Sequence, residues 1–141
     1  MSDANFLDSN VLIYLFDRED KKRRSIAEQL LQQAIETGSA VISYQVVQET
    51  LNVITHKVQP ALTASEAQAA LRDILIPLWR IMPSGGLYHR GLEIQSRYRY
   101  SFYEAMIIAA ALEAGCTCLY TEDMQHGQKV EGLTIINPFI D

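Results

Sequence analysis

Apolar residues fall along this chain in two alternating rhythms, short unbroken runs and longer stretches at helical spacing, and the alternation predicts the fold. Asn5-Phe6-Leu7 leads into Asp8-Ser9-Asn10 and then into Val11-Leu12-Ile13-Tyr14-Leu15-Phe16. A short buried strand that ends at capping residues and passes into a helix accounts for this order. From about Lys21 to Thr37, Ile26, Leu30, Leu31, Ala34 and Ile35 share one helical face, and Gly38 supplies a stop. Ala40-Val41-Ile42-Ser43 reads as a second strand, followed by a helix from about Gln45 to His56 that carries Val47, Leu51 and Ile54 on one face.

Beyond the break at Pro60, Thr63-Ala64-Ser65-Glu66 forms a capping box for a helix reaching about Ile76, where Pro77 is expected to end it. Leu78 to Met82 reads as a third strand, bounded by Pro83-Ser84-Gly85-Gly86. Two helices follow, from about Leu87 to Tyr98 and from Phe102 to Ala114, the second rich in Ala, Leu, Met and Glu and stopped at Gly115. Cys116 to Tyr120 gives a fourth strand and Leu133 to Ile136 a short fifth before Pro138. Strands alternating with helices through short connections predict an α/β fold. The expectation is a three-layer sandwich with a mainly parallel five-stranded sheet, and residues 1–141 read as one domain without linker or repeat. In such sheets chemistry collects at the carboxyl ends of the strands.

Composition narrows the class. With 48% hydrophobic residues, 141 residues suffice for one core, and no apolar stretch is long enough to span a bilayer. Met1 to Asn5 is polar and lacks the order of a secretory signal, so a soluble cytoplasmic protein is expected. Cys116 and Cys118 lie two apart on a strand, which disfavours a disulfide or zinc site, and His56, His89 and His126 are scattered. A formal charge of −5 argues against a protein that simply coats nucleic acid. It leaves room for an acidic centre whose bound cations reverse the local sign.

Four acids stand out. Asp8 follows the first strand and Glu122-Asp123 follows the fourth, both on the edge where α/β proteins build their sites. Glu49 lies on the helix after strand two between Val46 and Val53, and Glu104 interrupts the apolar surface formed by Tyr100, Ile107 and Ile108. Taken singly, each has an ordinary reading: Asp8 as a helix N-cap, Glu49 as a solvated residue, Glu104 as a snorkelling side chain or partner of Arg99, Asp123 as a turn residue. Their order, with no Lys or Arg beside them in sequence, favours convergence. Two carboxylates about 4 Å apart repel by roughly 4 kcal/mol at an effective dielectric near 20, so such a nest must protonate, stay open or bind cations. Hard oxygen ligands suit Mg²⁺ or Mn²⁺, which can assist phosphodiester hydrolysis. A receiver or an aspartate phosphatase also places acids at strand ends, but the phosphatase needs a second Asp where this chain has Asn10.

Phe6-Leu7-Asp8-Ser9-Asn10-Val11-Leu12, Gln48-Glu49-Thr50-Leu51-Asn52-Val53, Ser101-Phe102-Tyr103-Glu104-Ala105 and Leu119-Tyr120-Thr121-Glu122-Asp123-Met124-Gln125-His126-Gly127 together resemble the PIN domain, especially the VapC-like toxins. The resemblance spans essentially the whole chain. It implies a metal-dependent endoribonuclease with Asp8, Glu49, Glu104 and Asp123 as the catalytic and metal-binding acids, and Asn10 and Thr121 as supporting polar residues. It further implies Mg²⁺ or Mn²⁺ as cofactor, RNA as substrate, a small antitoxin as partner, and a homodimer. At Glu104 the chain departs from the family's usual Asp, and one extra carbon moves the carboxylate by roughly 1.5 Å. That departure keeps open a second function, a catalytically weak module acting mainly by binding a partner or RNA. The basic run Lys21-Lys22-Arg23-Arg24 reads either as a solvated helix start or as a phosphate contact. Arg97 and Arg99, with Tyr98, Tyr100 and Tyr103, read either as an RNA grip or as packing for a helix or dimer interface.

Overall fold

The computed structural model describes residues 4–140; Met1 to Asp3, the first part of the polar stretch Met1 to Asn5, and Asp141 lie outside the described residues. β1 (Ala4–Leu7) ends at Asp8, which caps α1 (Ser9–Ile13), and a 3₁₀ turn (Tyr14–Phe16) leads towards α2 (Lys21–Thr37). The α2 helix starts and stops as its apolar stripe predicts, with Gly38 in the left-handed region at φ 64°. β2 (Ala40–Ser43) then feeds α3 (Tyr44–His56).

After α3 the chain departs from expectation at Pro77. The capping box at Thr63 and Glu66 forms and starts α4 (Ala64–Ala70), but the helix does not end at the proline. It widens into a π-helical segment (Leu71–Leu75), where the N–H of Ile76 donates to the carbonyl of Leu71 five residues back, and continues as α5 (Ile76–Leu78) with Pro77 inside its first turn. A proline lacks the N–H and crowds the carbonyl four residues back, and a wide turn just before it relieves that conflict.

β3 (Trp79–Ile81), α6 (Gly85–Tyr98), α7 (Phe102–Glu113) and β4 (Cys116–Tyr120) follow the predicted order. α6 and α7 approach closely at Gly91, where a Cβ would collide with the sulfur of Met106. The sheet has six strands rather than five, because β5 (Lys129–Val130) pairs antiparallel with β6 (Leu133–Ile136). Glu131 and Gly132 turn that hairpin with φ of 50° and 91°, the left-handed pair that a two-residue loop requires. A two-residue strand leaves no periodicity to read.

The strand order is β3-β2-β1-β4-β6-β5, parallel throughout except for the final hairpin. From β1 the chain winds outward through β2 to β3, then crosses back to β4 on the other side of β1. Right-handed crossovers in this order lay helices on opposite faces, and β2, buried at all four residues, is covered on both. The α7 helix is buried from Ala105 through Ala111 and packs with Phe6, Ile42 and Leu119 in the main core. The winding direction reverses between β1 and β4, which opens a crevice at their carboxyl ends. Among the described residues no helix is long and apolar enough to cross a membrane.

Candidate active site

At this switch point the two strand ends are stitched together. The N–H of Asp8 donates to the carbonyl of Tyr120 at 3.0 Å, so the residue after β1 lies against the end of β4. The Asp8 side chain accepts from the backbone N–H of Ser9 at 2.7 Å through Oδ1 and from the Thr121 hydroxyl at 2.9 Å through Oδ2. Asn10, on the first turn of α1, donates through Nδ2 to Thr121 Oγ1 at 3.1 Å and to Asp123 Oδ2 at 3.0 Å. Its Oδ1 accepts from the N–H of Glu122 at 3.2 Å, and the N–H of Asp123 donates to Thr121 Oγ1 at 3.2 Å. Asp8 is therefore the N-cap its position suggests and part of a cross-strand polar network as well.

A small cleft of about 100 Å³ opens here, lined by all four predicted acids, Asp8, Glu49, Glu104 and Asp123. Asp8 is 5% exposed, and burial pushes its carboxyl up to about 7, with the charges of Glu49 and Asp123 acting in the same direction against its two hydrogen bonds. Burial also raises the Glu49 carboxyl, helped by Asp123 and opposed by hydrogen bonds from Gln45 and Ser9. Asp8, Glu49 and Asp123 thus interact through their charges. Among the described residues no arginine or lysine lines the cleft to neutralise them.

Glu104 stands differently. It occupies the third position of α7, accepts from the N–H of Ser101 at 3.1 Å, and its own N–H donates to the Ser101 hydroxyl at 3.3 Å. That is a capping box, so the charge that interrupts the apolar surface also closes the helix start. The expected alternatives of a snorkelling chain or an Arg99 ion pair are not what the side chain does: its carboxylate is turned to the Ser101 N–H. Among the described residues no three acid, cysteine or histidine side chains stand close enough together to hold one metal ion. Each carboxylate is turned to a local donor instead: Ser9 and Thr121 for Asp8, Asn10 for Asp123, Ser9 for Glu49 at 3.4 Å, Ser101 for Glu104.

Residues outside the predicted set complete the site. Gln45, 7% exposed, precedes Glu49 by one helical turn, and its Nε2 donates to the carbonyl of Tyr103 at 3.2 Å. Its i, i+4 relation to Glu49 is the signal that could have found it. Glu122, beside Asp123, is held away from the cleft: the Tyr14 hydroxyl donates to it at 2.6 Å and Arg23 Nε lies 3.6 Å from its other oxygen. Arg23 also pairs with Asp20 at 2.8 Å and lies 5.7 Å from the Tyr14 ring centroid, while that ring meets Phe139 edge-on at 4.8 Å. Of the basic run, then, Arg23 is committed to structure, Arg24 lies 4.0 Å from Glu28, and Lys21 and Lys22 are exposed. Arg97 and Arg99 are exposed at the end of α6 and do not line the cleft, Arg99 capping the helix at φ 64°.

Solved structures of similar fold include VapC20 of Mycobacterium tuberculosis, described as a sarcin-ricin loop cleaving toxin. It matches with a TM-score of 0.65 and 21% identity over 85% of this chain and 92% of that one. A toxin-antitoxin complex from Klebsiella pneumoniae matches at 0.62 and 18% identity over 96% and 98%. VapBC2 of Rickettsia felis, bound to a promoter DNA fragment, matches at 0.67 and 14% identity over 94% and 96%. At these identities the likeness is one of fold. No curated protein sequence matches the chain. The PIN domain model matches residues 6–130, nearly the whole described chain, and the protein belongs to the PIN domain family.

Proposed function

We propose that the chain is a divalent-metal-dependent endoribonuclease, the cytoplasmic toxin of a toxin-antitoxin pair, acting as a homodimer. The observation that carries this reading is the gathering of Asp8, Glu49, Glu104 and Asp123 around one cleft at the switch point, with no basic side chain among the described residues lining it. PIN nucleases in general use divalent metals, and the donors here match one in kind, since carboxylate oxygens suit hard cations such as Mg²⁺ or Mn²⁺, but they would have to draw together from the positions they hold without it. The raised Asp8 carboxyl marks a buried acid without a compensating positive charge. Asp8, Glu49 and Asp123, with Glu104 as the fourth, would hold the cation. Bound there, it supplies positive charge for the phosphate oxygens and acidity for an attacking water.

The chain's own residues do the positioning. Thr121 and the Ser9 N–H fix both oxygens of Asp8, Asn10 orients Asp123, and the Ser9 hydroxyl reaches towards Glu49. Such outer contacts set the direction and basicity of metal-binding groups. The likeness to toxin-antitoxin complexes supports a small antitoxin as the partner. A tail presenting Arg to the carboxylates would be a chemically matched inhibitor.

One observation favours a second reading, a weak nuclease that acts mainly by binding a protein or RNA. Glu104 replaces the family's usual Asp and is engaged in a helix cap. Incubating the purified chain with structured and single-stranded RNA, in Mn²⁺ or in excess chelator, and mapping the ends separates the two. Site-specific cuts that need Mn²⁺ support the nuclease. Tight RNA or partner binding without cuts supports the second reading.

A further inference from the structure

We infer that Tyr103 is a substrate-binding residue that stacks its ring on an unpaired nucleobase beside the scissile phosphate. The inference rests on the nuclease reading above and names a residue that would contact the substrate. Tyr103 is 67% exposed, yet it lines the same cleft as the four acids. The neighbouring tyrosines behave otherwise, since Tyr98 and Tyr100 pack against the main core. Tyr103 thus presents an aromatic surface at the edge of the acid cleft.

Its placement is held from two sides. Phe102 meets its ring edge-on, with centroids 5.3 Å apart and planes at 76°. The buried amide of Gln45 donates to its backbone carbonyl at 3.2 Å, and Gln45 lines the cleft one helical turn before Glu49. One buried residue of the cleft therefore ties down the start of the helix that carries the ring.

Electrostatics favours an uncharged contact at the cleft, whose lining holds no arginine or lysine among the described residues. The chain carries a net charge of −5, and the cleft repels phosphate until cations arrive. Of the basic run, read either as a solvated helix start or as a phosphate contact, Arg23 is in ion pairs with Asp20 and Glu122 and Arg24 with Glu28, while Lys21 and Lys22 are exposed. A ring face gains affinity from any base without that repulsion. It reaches only unpaired bases, because in an A-form duplex the base faces are stacked on one another.

The test compares wild type with Tyr103→Phe, Tyr103→Leu and Tyr103→Trp on a fluorescent single-stranded RNA in Mn²⁺. Tyr103→Leu keeps the apolarity and removes the ring, so KM is expected to rise about tenfold, with kcat changed far less. Tyr103→Phe should stay within about twofold of wild type, since the ring carries the contact. RNA should quench the added emission of Tyr103→Trp, whereas the emission of wild type, whose one tryptophan is Trp79 on β3, should hold. An unchanged KM in Tyr103→Leu overturns the stacking role while leaving the nuclease intact. So does a loss of dimer mass by light scattering in Tyr103→Leu, which would assign the ring to a second copy of the chain. A wild type that neither binds nor cleaves RNA overturns the nuclease reading, and the stacking role with it.

Discussion

The two halves of the acid cleft are built in different ways. On the strand side, Asp8 and Asp123 sit just past β1 and β4 and share Thr121 and Asn10 through contacts of 2.9 to 3.1 Å. On the helix side, Glu49 holds a 3.4 Å contact to Ser9, and Glu104 is occupied by its own helix cap. Adjacent parallel strands bring two loops into register, so one network can fix both of their acids. Helix residues arrive singly on long side chains and take whatever donor is local. The strand half is preorganised, and the helix half would have to rearrange to hold the cation proposed above.

The largest effect that would sharpen this contrast is pH-dependent. Asp8 has a folded value of about 7 against an ordinary 3.8, so its burial favours the protonated form. The resulting stability is fully present below the ordinary value and is lost as pH rises through about 7. In metal-free protein the loss should approach about 4 kcal/mol as an upper bound, since each pH unit between the two values is worth about 1.4 kcal/mol. Glu49, also raised by burial, adds in the same direction. Denaturant melts between pH 4 and 8 should show the decline in wild type and a much flatter profile in Asp8→Asn. Parallel profiles would mean that Asp8 is not the strained group.

A smaller effect separates the halves directly. Thr121→Val removes the hydroxyl that serves Asp8, Asn10 and the Asp123 N–H, and should weaken Mn²⁺ binding by about 10- to 100-fold in calorimetry. Ser9→Ala, which removes only the long hydroxyl contact to Glu49, should cost no more than about threefold by the same reasoning. Equal losses would erase the distinction. Smallest is the change at the helix cap: Ser101→Ala removes the hydroxyl that accepts from the Glu104 N–H and should lower stability by about 1 kcal/mol, while the backbone N–H that holds the Glu104 carboxylate stays in place. Mn²⁺ affinity should then hold, and a tenfold fall would show that the cap hydroxyl helps set the binding geometry.

How far the sequence can be read depends on how local each signal is. The α2 stripe, the alternation of strands with helices and the placement of all four acids around one cleft follow from periodicity and from the rule that sites lie at strand ends. What escapes are features that depend on backbone detail. The β5 strand is two residues long, and Pro77 is accommodated by a widened helix with no signature in residue type. The two capping boxes are the sharper lesson. Thr63 with Glu66 and Ser101 with Glu104 have the same spacing, and both form. Both carry the capping signature, but Glu104 stands beside apolar residues and invites a chemical role, which hides its cap. The structure gives it the cap and a place on the cleft wall together. Pairings such as Tyr14 with Glu122, 108 positions apart, depend on tertiary placement that no local pattern encodes.

The central claim is that these acids form the catalytic centre of a metal-dependent nuclease, and one comparison tests it most directly. Wild type, Asp8→Asn and Asp123→Asn are assayed on the same single-stranded RNA in Mn²⁺, after circular dichroism shows that all three are folded. Each variant keeps its side-chain size and loses one charged oxygen donor. The account predicts cuts by wild type that chelator abolishes, and rates at least about 100-fold lower in both variants. Full cleavage by either variant, or by wild type in excess chelator, would contradict it.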